Sequence, residues 1–284
     1  MDSSLRPVLI IGAARSGTKV LRRMLASSPD CAVVPYGIPA VWRQENESHP
    51  NDALPPSSCT EETAIRIRRA IHRLAEGPPT ASLLVEKTSA NTLRVPFVER
   101  VFPDARFIHL VRNGVDVAES ARRRWQARPS LAYLVRKALF LRWVGVRHGL
   151  KYVWRWLRNT GSESSQLWGP HYPGMENDVT ESPLLHVCAR QWRACTQSAL
   201  DALGEYPDNR IFRLRYEQFV TDPGTVNRLA DFLGMTAPDS MLGYHRANIE
   251  DTFVGRGRRR LTDAEQRAIR PILRPSQNQL GYQH

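Results

Sequence analysis

The stretch VLIIGAARSGTK, residues 8–19, decides the fold class of this chain. Its first four residues are apolar and mostly β-branched, which is typical of a strand buried on both faces of a parallel sheet. A glycine-containing loop follows, and apolar residues at helical spacing come after it. In a strand–loop–helix unit of this kind, backbone N–H groups and a helix N-terminus can surround a phosphate. The sequence therefore predicts an anion-binding loop after a central strand.

Strand and helix patterns alternate along the rest of the chain. Apolar runs at 82–85, 106–111 and 210–214 predict further strands, and segments with helical periodicity lie between them. This alternation predicts an α/β fold with a central, mainly parallel sheet flanked by helices, of the P-loop-containing nucleotide-binding type. We expect one domain over residues 1–284, with a helical cap and loop insertion at about 129–183.

Composition limits the class of protein but does not choose the partner. The formal net charge of +12 favours a polyanionic partner, which includes a nucleic acid, an anionic membrane or a phosphate-rich small molecule. Only four of the 40 basic residues are lysines, so part of the arginine excess is attributed to a coding bias. We therefore expect no nucleic-acid partner. A basic nucleic-acid-binding protein is kept as the alternative hypothesis.

The cysteine content and the hydropathy suggest a compartment. Four cysteines in 284 residues have neither the density of a disulfide scaffold nor the paired spacing of a zinc site. No run of about 18 apolar residues occurs, and the N-terminus has no cationic lead into an apolar stretch. We expect a cytoplasmic protein without a transmembrane segment.

The loop departs from the triphosphate-binding pattern G-x-x-x-x-G-K-[ST] at an informative place. Gly12 and Gly17 have the right separation, but Thr18 and Lys19 occur in the inverted order. A kinase with this loop would lack both its phosphate-binding lysine and its metal-binding hydroxyl at the usual positions. A P-loop kinase is therefore the second choice, and a donor that requires no metal fits the loop better.

Two segments resemble those of a known family. Arg15-Ser16-Gly17-Thr18 is similar to the 5′-phosphosulfate loop of sulfotransferases that use 3′-phosphoadenosine-5′-phosphosulfate (PAPS), and residues 102–120 are similar to the family's 3′-phosphate segment. The resemblance implies transfer of a sulfuryl group from PAPS to a hydroxyl or amine of a small-molecule, lipid or glycan acceptor. It implies that the donor is held by Arg15, Ser16, Gly17, Thr18, Lys19, Arg112, Ser120, Tyr216 and Arg256.

The 3′-phosphate segment can also be interpreted from its residues alone. Arg112 ends a predicted strand, and Ser120 lies about two turns into the following helix. An arginine fork and a hydroxyl can then converge on one phosphate. The alternative is that Arg112 pairs with Asp116 while Ser120 only packs.

Three shorter motifs extend the resemblance. Residues 85–88 resemble the Glu-Lys-Ser/Thr motif, which implies that Lys87 reaches the sulfuryl group. Residues 215–219 resemble a Tyr-Glu-Asp segment that places Tyr216 on the adenine, although Gln218 replaces the aspartate. The basic run at 254–260 lies where the family closes over the 3′-phosphate, and a solvated basic face is the alternative.

The resemblance assigns Arg15 and Lys87 to the negative charge that develops on the leaving phosphate. A general base should remove the acceptor proton. The family register for that base falls on Tyr36, so we favour Glu47, near Trp42 and Arg43. The other candidates are Glu45 and His49. Trp168 and Tyr172 are candidate walls of the acceptor site.

Overall fold

The computed structural model describes residues 5–127, 167–236 and 238–282. Most of the predicted cap lies outside the described residues, because residues 128–166 are not among them. The insertion boundaries at about 129–183 therefore stay a prediction.

In the residues that the structure describes, five strands form one sheet: β1 Arg6–Ile11, β2 Cys31–Val33, β3 Leu83–Glu86, β4 Arg106–Val111 and β5 Ile211–Arg215. Neighbouring strands all pair in parallel, in the order β2-β3-β1-β4-β5. Strand β1 is central, and its Leu9 is paired with Glu86 on one side and Phe107 on the other. This sheet confirms the predicted α/β fold class.

Helices lie between the strands and after the last one. The first five are α1 Thr18–Leu25, α2 Pro39–Trp42, α3 Glu61–Leu74, α4 Val95–Val101 and α5 Gly114–Gln126. Later helices are α6 Met175–Glu181, α7 Leu184–Gly204, α8 Tyr216–Thr221, α9 Gly224–Leu233, α10 Asp239–Asn248, α11 Arg256–Arg260 and α12 Asp263–Gln279. Short 3₁₀ turns occupy Pro56–Ser58, Ser89–Leu93 and Asp208–Arg210. None of these described helices is both long and apolar enough to cross a bilayer.

The two faces of the sheet bury separate apolar clusters, because successive strand residues point to opposite faces. Leu9 and Ile11 pack in the cluster that contains α3 and α4, whereas Val8 and Ile10 pack in the cluster that contains α1 and α9. Burial of each such side chain stabilises the fold by about 1.5–3 kcal/mol. With both faces covered, the carboxyl ends of the strands are left as the open edge where ligands of such folds bind.

His109 belongs to the core and not to the site. It lies within β4 and is buried, and burial together with the nearby Arg213 lowers its pKa to about 4. The imidazole is therefore neutral at physiological pH. This is the core role that its position inside an apolar strand indicates.

Candidate functional site

The loop from Gly12 to Gly17 is shaped by close packing and by two residues with positive φ. A Cβ on Gly12 would lie 2.6 Å from the carbonyl oxygen of Leu110, so the loop runs directly against β4. Arg15 has φ 75° and Gly17 has φ 96°. Gly17 is also the N-cap of α1 and supplies no side-chain cap. The first N–H groups of a helix lack intrahelical partners, and here no cap occupies them, so the loop offers them to an anion.

The Ser16 hydroxyl also favours an anionic ligand at this loop. The residue is buried, and its Oγ has no hydrogen-bond partner among the described residues. A buried hydroxyl without a partner costs free energy unless a ligand or water satisfies it. The loop therefore fits a phosphate or phosphosulfate group, whose oxygens would accept from this hydroxyl and from the helix N–H groups.

Positive charge is concentrated around the loop. Burial lowers the pKa of Lys19, and the neighbouring Arg23, Arg22 and Arg15 lower it further. Burial also lowers the pKa of Arg15, with Arg123 next in effect. Each cation raises the cost of keeping its neighbours charged, and a bound anion would relieve that cost. The charges around the loop thus favour a polyanionic ligand.

The Arg15 side chain reaches α5. Its Nε donates a hydrogen bond of 3.0 Å to Ser120 Oγ, although the two residues are 105 positions apart in sequence. Ser120 itself is buried. The loop after β1 and the helix after β4 therefore meet at one point, and the Arg15 guanidinium lies on the side of the site assigned to the 3′-phosphate by resemblance.

Arg112 directly follows β4 and has contacts on several sides. Its Nη1 donates to the carbonyl oxygen of Arg15 at 3.3 Å, and its Nη2 donates to the carbonyl oxygen of Phe253 and contacts Asp116 Oδ2 at 3.5 Å. Its guanidinium lies 4.2 Å from the ring centroid of Tyr216. The pairing with Asp116 considered as an alternative therefore occurs. Arg112 Nε is nevertheless buried with no partner among the described residues, so one donor is available to a ligand.

Tyr216 covers the loop from the β5 side. It is the first residue of α8, is buried, and lies so close to Gly17 that a Cβ there would be 2.4 Å from Tyr216 Cδ2. Burial raises the pKa of its phenol, so the hydroxyl stays protonated at neutral pH. The ring thus joins the phosphate loop to Arg112.

Gly17→Ala is expected to destabilise the protein and weaken anion binding at the loop. The new methyl group meets the Tyr216 ring, and the residue must also keep a positive φ, which together cost about 2–4 kcal/mol. Gly174→Ala is the matched control, because Gly174 has φ 84° but nothing within 4 Å of an added Cβ. Thermal unfolding of both variants measures the difference. Equal losses would contradict close packing between Gly17 and Tyr216.

Lys87 follows β3, the strand next to β1, and is half-buried at the same edge of the sheet. The preceding Glu86 is buried, which raises the pKa of its carboxyl group. Glu86 Oε1 accepts a 2.6 Å hydrogen bond from Thr88 Oγ1, which in turn accepts one of 2.8 Å from the N–H of Ile38. An added Cβ on Gly37 would lie 3.4 Å from the carbonyl oxygen of Lys87. Buried hydrogen bonds therefore fix the backbone around Lys87, a feature that the sequence motif did not reveal.

The three candidates for the general base differ in their surroundings. Glu45 pairs with Arg66 at 3.0 Å and accepts a 2.7 Å hydrogen bond from Thr63, so α3 and its N-terminus hold it. Glu47 is exposed. Nδ1 of His49 lies 3.0 Å from the carbonyl oxygen of Asn51.

Arg43 does not pair with the carboxylate of Glu47. Its guanidinium donates to the backbone carbonyl of Glu47 at 3.3 Å and forms its ion pair with Asp52 at 3.2 Å. Tyr172, considered as an acceptor wall, is buried, and its hydroxyl donates to Asp178 at 2.6 Å. The tyrosine therefore has a structural partner on α6.

The basic run at 254–260, with Phe253 just before it, reaches the site from the C-terminal part of the chain. Phe253 is 44% exposed, and the guanidinium of Arg256 lies 5.0 Å from the centroid of that ring. The carbonyl oxygen of Phe253 accepts from Arg112. Arg256 therefore lies beside the β4–α5 junction, where the resemblance places a residue that covers the donor.

Comparisons with known proteins agree on one family. The model of the sulfotransferase family matches residues 7–145 and 146–239. A search among curated proteins found no match.

Solved structures of sulfotransferases share the fold at low sequence identity. The sulfotransferase domain of the curacin biosynthetic pathway is 17% identical, with a TM-score of 0.53 over 98% of each chain. That of the Synechococcus PCC 7002 olefin synthase is 16% identical, with a TM-score of 0.55 over 100% of this chain and 98% of the other. A mouse sulfotransferase complexed with PAP is 12% identical, with a TM-score of 0.50 over 96% of this chain and 85% of the other.

Proposed function

The chain belongs to the sulfotransferase family, and we propose that it transfers a sulfuryl group from PAPS to a hydroxyl or amine of a small-molecule, lipid or glycan acceptor. The choice of donor rests on the meeting of two elements at one edge of the sheet. The first is the loop after β1, and the second is the junction of β4 and α5. Arg15 from the first element donates to Ser120 of the second, and Arg112 donates to the carbonyl oxygen of Arg15. A donor with phosphate groups at both its 5′ and 3′ ends suits two such elements.

Orphaned donors support the fit of that ligand. Ser16 Oγ and Arg112 Nε are buried polar atoms without partners among the described residues, one in each element. A solved relative in the same fold is a complex with PAP, the product that PAPS leaves after transfer. Gly17, Thr18 and Lys19 complete the 5′ end of the proposed site. Arg256 is proposed to cover the 3′-phosphate, and Tyr216 is proposed to contact the adenine.

The bound donor supplies a phosphosulfate linkage that breaks as the acceptor attacks sulfur, so negative charge develops on the departing 5′-phosphate. Lys87 is proposed to stabilise that charge, because the hydrogen bonds of Glu86 and Thr88 fix the backbone on either side of it. Arg15 is proposed to add a permanent positive charge from the adjoining 3′-phosphate side of the site, where its Nε donates to Ser120. Glu47 stays the proposed general base.

The binding of PAP tests this function directly. We expect calorimetry to show PAP binding that is unchanged by EDTA, because the loop carries an inverted Thr18-Lys19 pair in place of the metal-binding order. Titration with ATP and Mg²⁺ is the control. Strict dependence on Mg²⁺, or binding of ATP but not PAP, would contradict the sulfotransferase proposal and favour a P-loop kinase.

A further inference from the structure

We propose that Asp116 is a positioning residue that builds the 3′-phosphate pocket by joining the β4–α5 junction to the segment at 253–257. This inference rests on the proposed function and adds a residue to it. The sequence indicated Asp116 only as an alternative partner for Arg112. The structure shows a carboxylate that joins two parts of the chain 139 to 141 residues apart.

Both oxygens of this carboxylate are used. Asp116 is 2% exposed, and its Oδ1 accepts a 2.6 Å hydrogen bond from the N–H of Gly257. Its Oδ2 accepts a 2.8 Å hydrogen bond from the N–H of Gly255 and contacts Arg112 Nη2 at 3.5 Å. Hydrogen bonds to a buried charged group are stronger than those between neutral groups. The carboxylate therefore holds the segment and the arginine at the same time.

The shape of the segment agrees with this role. A Cβ on Gly257 would lie 2.6 Å from the carbonyl oxygen of Val115 and 2.7 Å from the Cα of Asp116, so the segment lies flat on the first turn of α5. Gly255 has φ 67°, a conformation that favours glycine. Glycine at both positions that donate an N–H to Asp116 thus allows the close approach.

The consequence for Arg112 is a fixed orientation. Asp116 and the carbonyl oxygen of Phe253 hold its Nη2, the carbonyl oxygen of Arg15 holds its Nη1, and Tyr216 covers its face. Its Nε is the donor without a described partner. A guanidinium ordered before the ligand arrives loses less conformational entropy on binding. Asp116 therefore favours binding of the 3′-phosphate, although its own charge is negative.

The test compares two nucleotides that differ only in the 3′-phosphate. Asp116→Asn keeps the shape of the side chain but replaces one accepting oxygen with an NH₂ group. That group cannot accept a hydrogen bond from the N–H donors that surround Asp116. The substitution is expected to weaken binding of PAP by about 10- to 100-fold while leaving binding of adenosine 5′-monophosphate (AMP) within about twofold. Calorimetry with both nucleotides measures the PAP-to-AMP affinity ratio. A residue that only stabilised the fold would lower both affinities together.

Glu265→Gln is the matched control. Glu265 also ties α5 to the C-terminal part of the chain, through Arg122 at 2.5 Å, but the carboxylate makes no described contact with residues 253–257. The PAP-to-AMP affinity ratio of Glu265→Gln should equal that of the wild type. Gly255→Ala tests the same contact from the other side, because a positive φ is strained for alanine. It should reproduce the selective loss, and it decides the question if Asp116→Asn does not fold.

The inference about Asp116 and the proposed function can fail separately. A wild-type ratio in Asp116→Asn, or equal losses for PAP and AMP, would overturn the inference while the proposed function stands. Wild-type protein that fails to bind PAP would overturn the proposed function and the inference with it. A selective loss of PAP binding in Asp116→Asn and Gly255→Ala, with Glu265→Gln unchanged, would support the inference.

Discussion

Replacing Lys87 with methionine should lower the rate of sulfuryl transfer by about 10²- to 10³-fold, the effect of removing one preorganised group that stabilises developing charge. Methionine keeps a long, unbranched side chain, so the close approach of Gly37 to the Lys87 carbonyl and the hydrogen bond from Ile38 N–H to Thr88 Oγ1 should survive. Because the charge develops only during transfer, PAP affinity should change far less than the rate. Release of PAP from PAPS, with water as the acceptor, measures the rate without a known acceptor.

Lys19→Met provides the contrast for this experiment. Lys19 lies in the first turn of α1, so its loss should weaken binding of the nucleotide more than it slows transfer. If Lys87→Met instead weakened PAP binding and left the transfer rate unchanged, Lys87 would be a binding residue, and the assignment of its catalytic role would be wrong.

The second large effect is expected at Arg112. Arg112→Ala should lower PAP affinity by about 100-fold, because it removes a buried guanidinium that forms charge-assisted hydrogen bonds. AMP should lose much less affinity, since it has no 3′-phosphate. Arg112→Lys should fall between the two, because lysine keeps the charge but loses the planar fork that contacts Tyr216 and Asp116. Calorimetry with PAP and AMP measures all three proteins.

Arg213→Ala is the control for the Arg112 variants. Arg213→Ala removes an arginine that is paired with Asp208 at 2.6 Å on the exposed side of β5, and it should leave both affinities unchanged. If Arg112→Ala bound PAP like the wild type, the 3′-phosphate assignment would fall. The hypothesis of a basic nucleic-acid-binding protein would then gain support, and steep salt dependence of binding would be its signature.

The site could be located in advance because its elements end on a common edge. Parallel strands carry their following loops at the same edge of the sheet, so the loop after β1, Lys87 after β3 and Arg112 after β4 were expected at one edge. The strand order in the structure, with β3 and β4 on either side of β1, makes them neighbours there. The spacing of Arg112 and Ser120 gave their relation on the strand–helix unit. The family motif then supplied the roles that remain proposals.

Contacts between distant segments could not be predicted in the same way. The hydrogen bond from Arg15 to Ser120, the packing of Tyr216 on Gly17 and the joining of Gly255 to Asp116 depend on how loops from different strands meet. The base is a similar case, because Glu47 lies in an irregular loop without periodicity to orient it. Only the structure showed that Arg43 pairs with Asp52.

The sequence by itself determined the α/β fold, the glycine-containing loop at residues 12–19 and the edge of the sheet at which the proposed site lies. These follow from local patterns, because strand burial, loop glycines and helix periodicity are each encoded within a few neighbouring residues. Only the tertiary structure decided which groups complete the site, including the Asp116 carboxylate that joins residues 253–257 to Arg112. Such long-range contacts depend on the packing of the whole chain, and no local pattern encodes them.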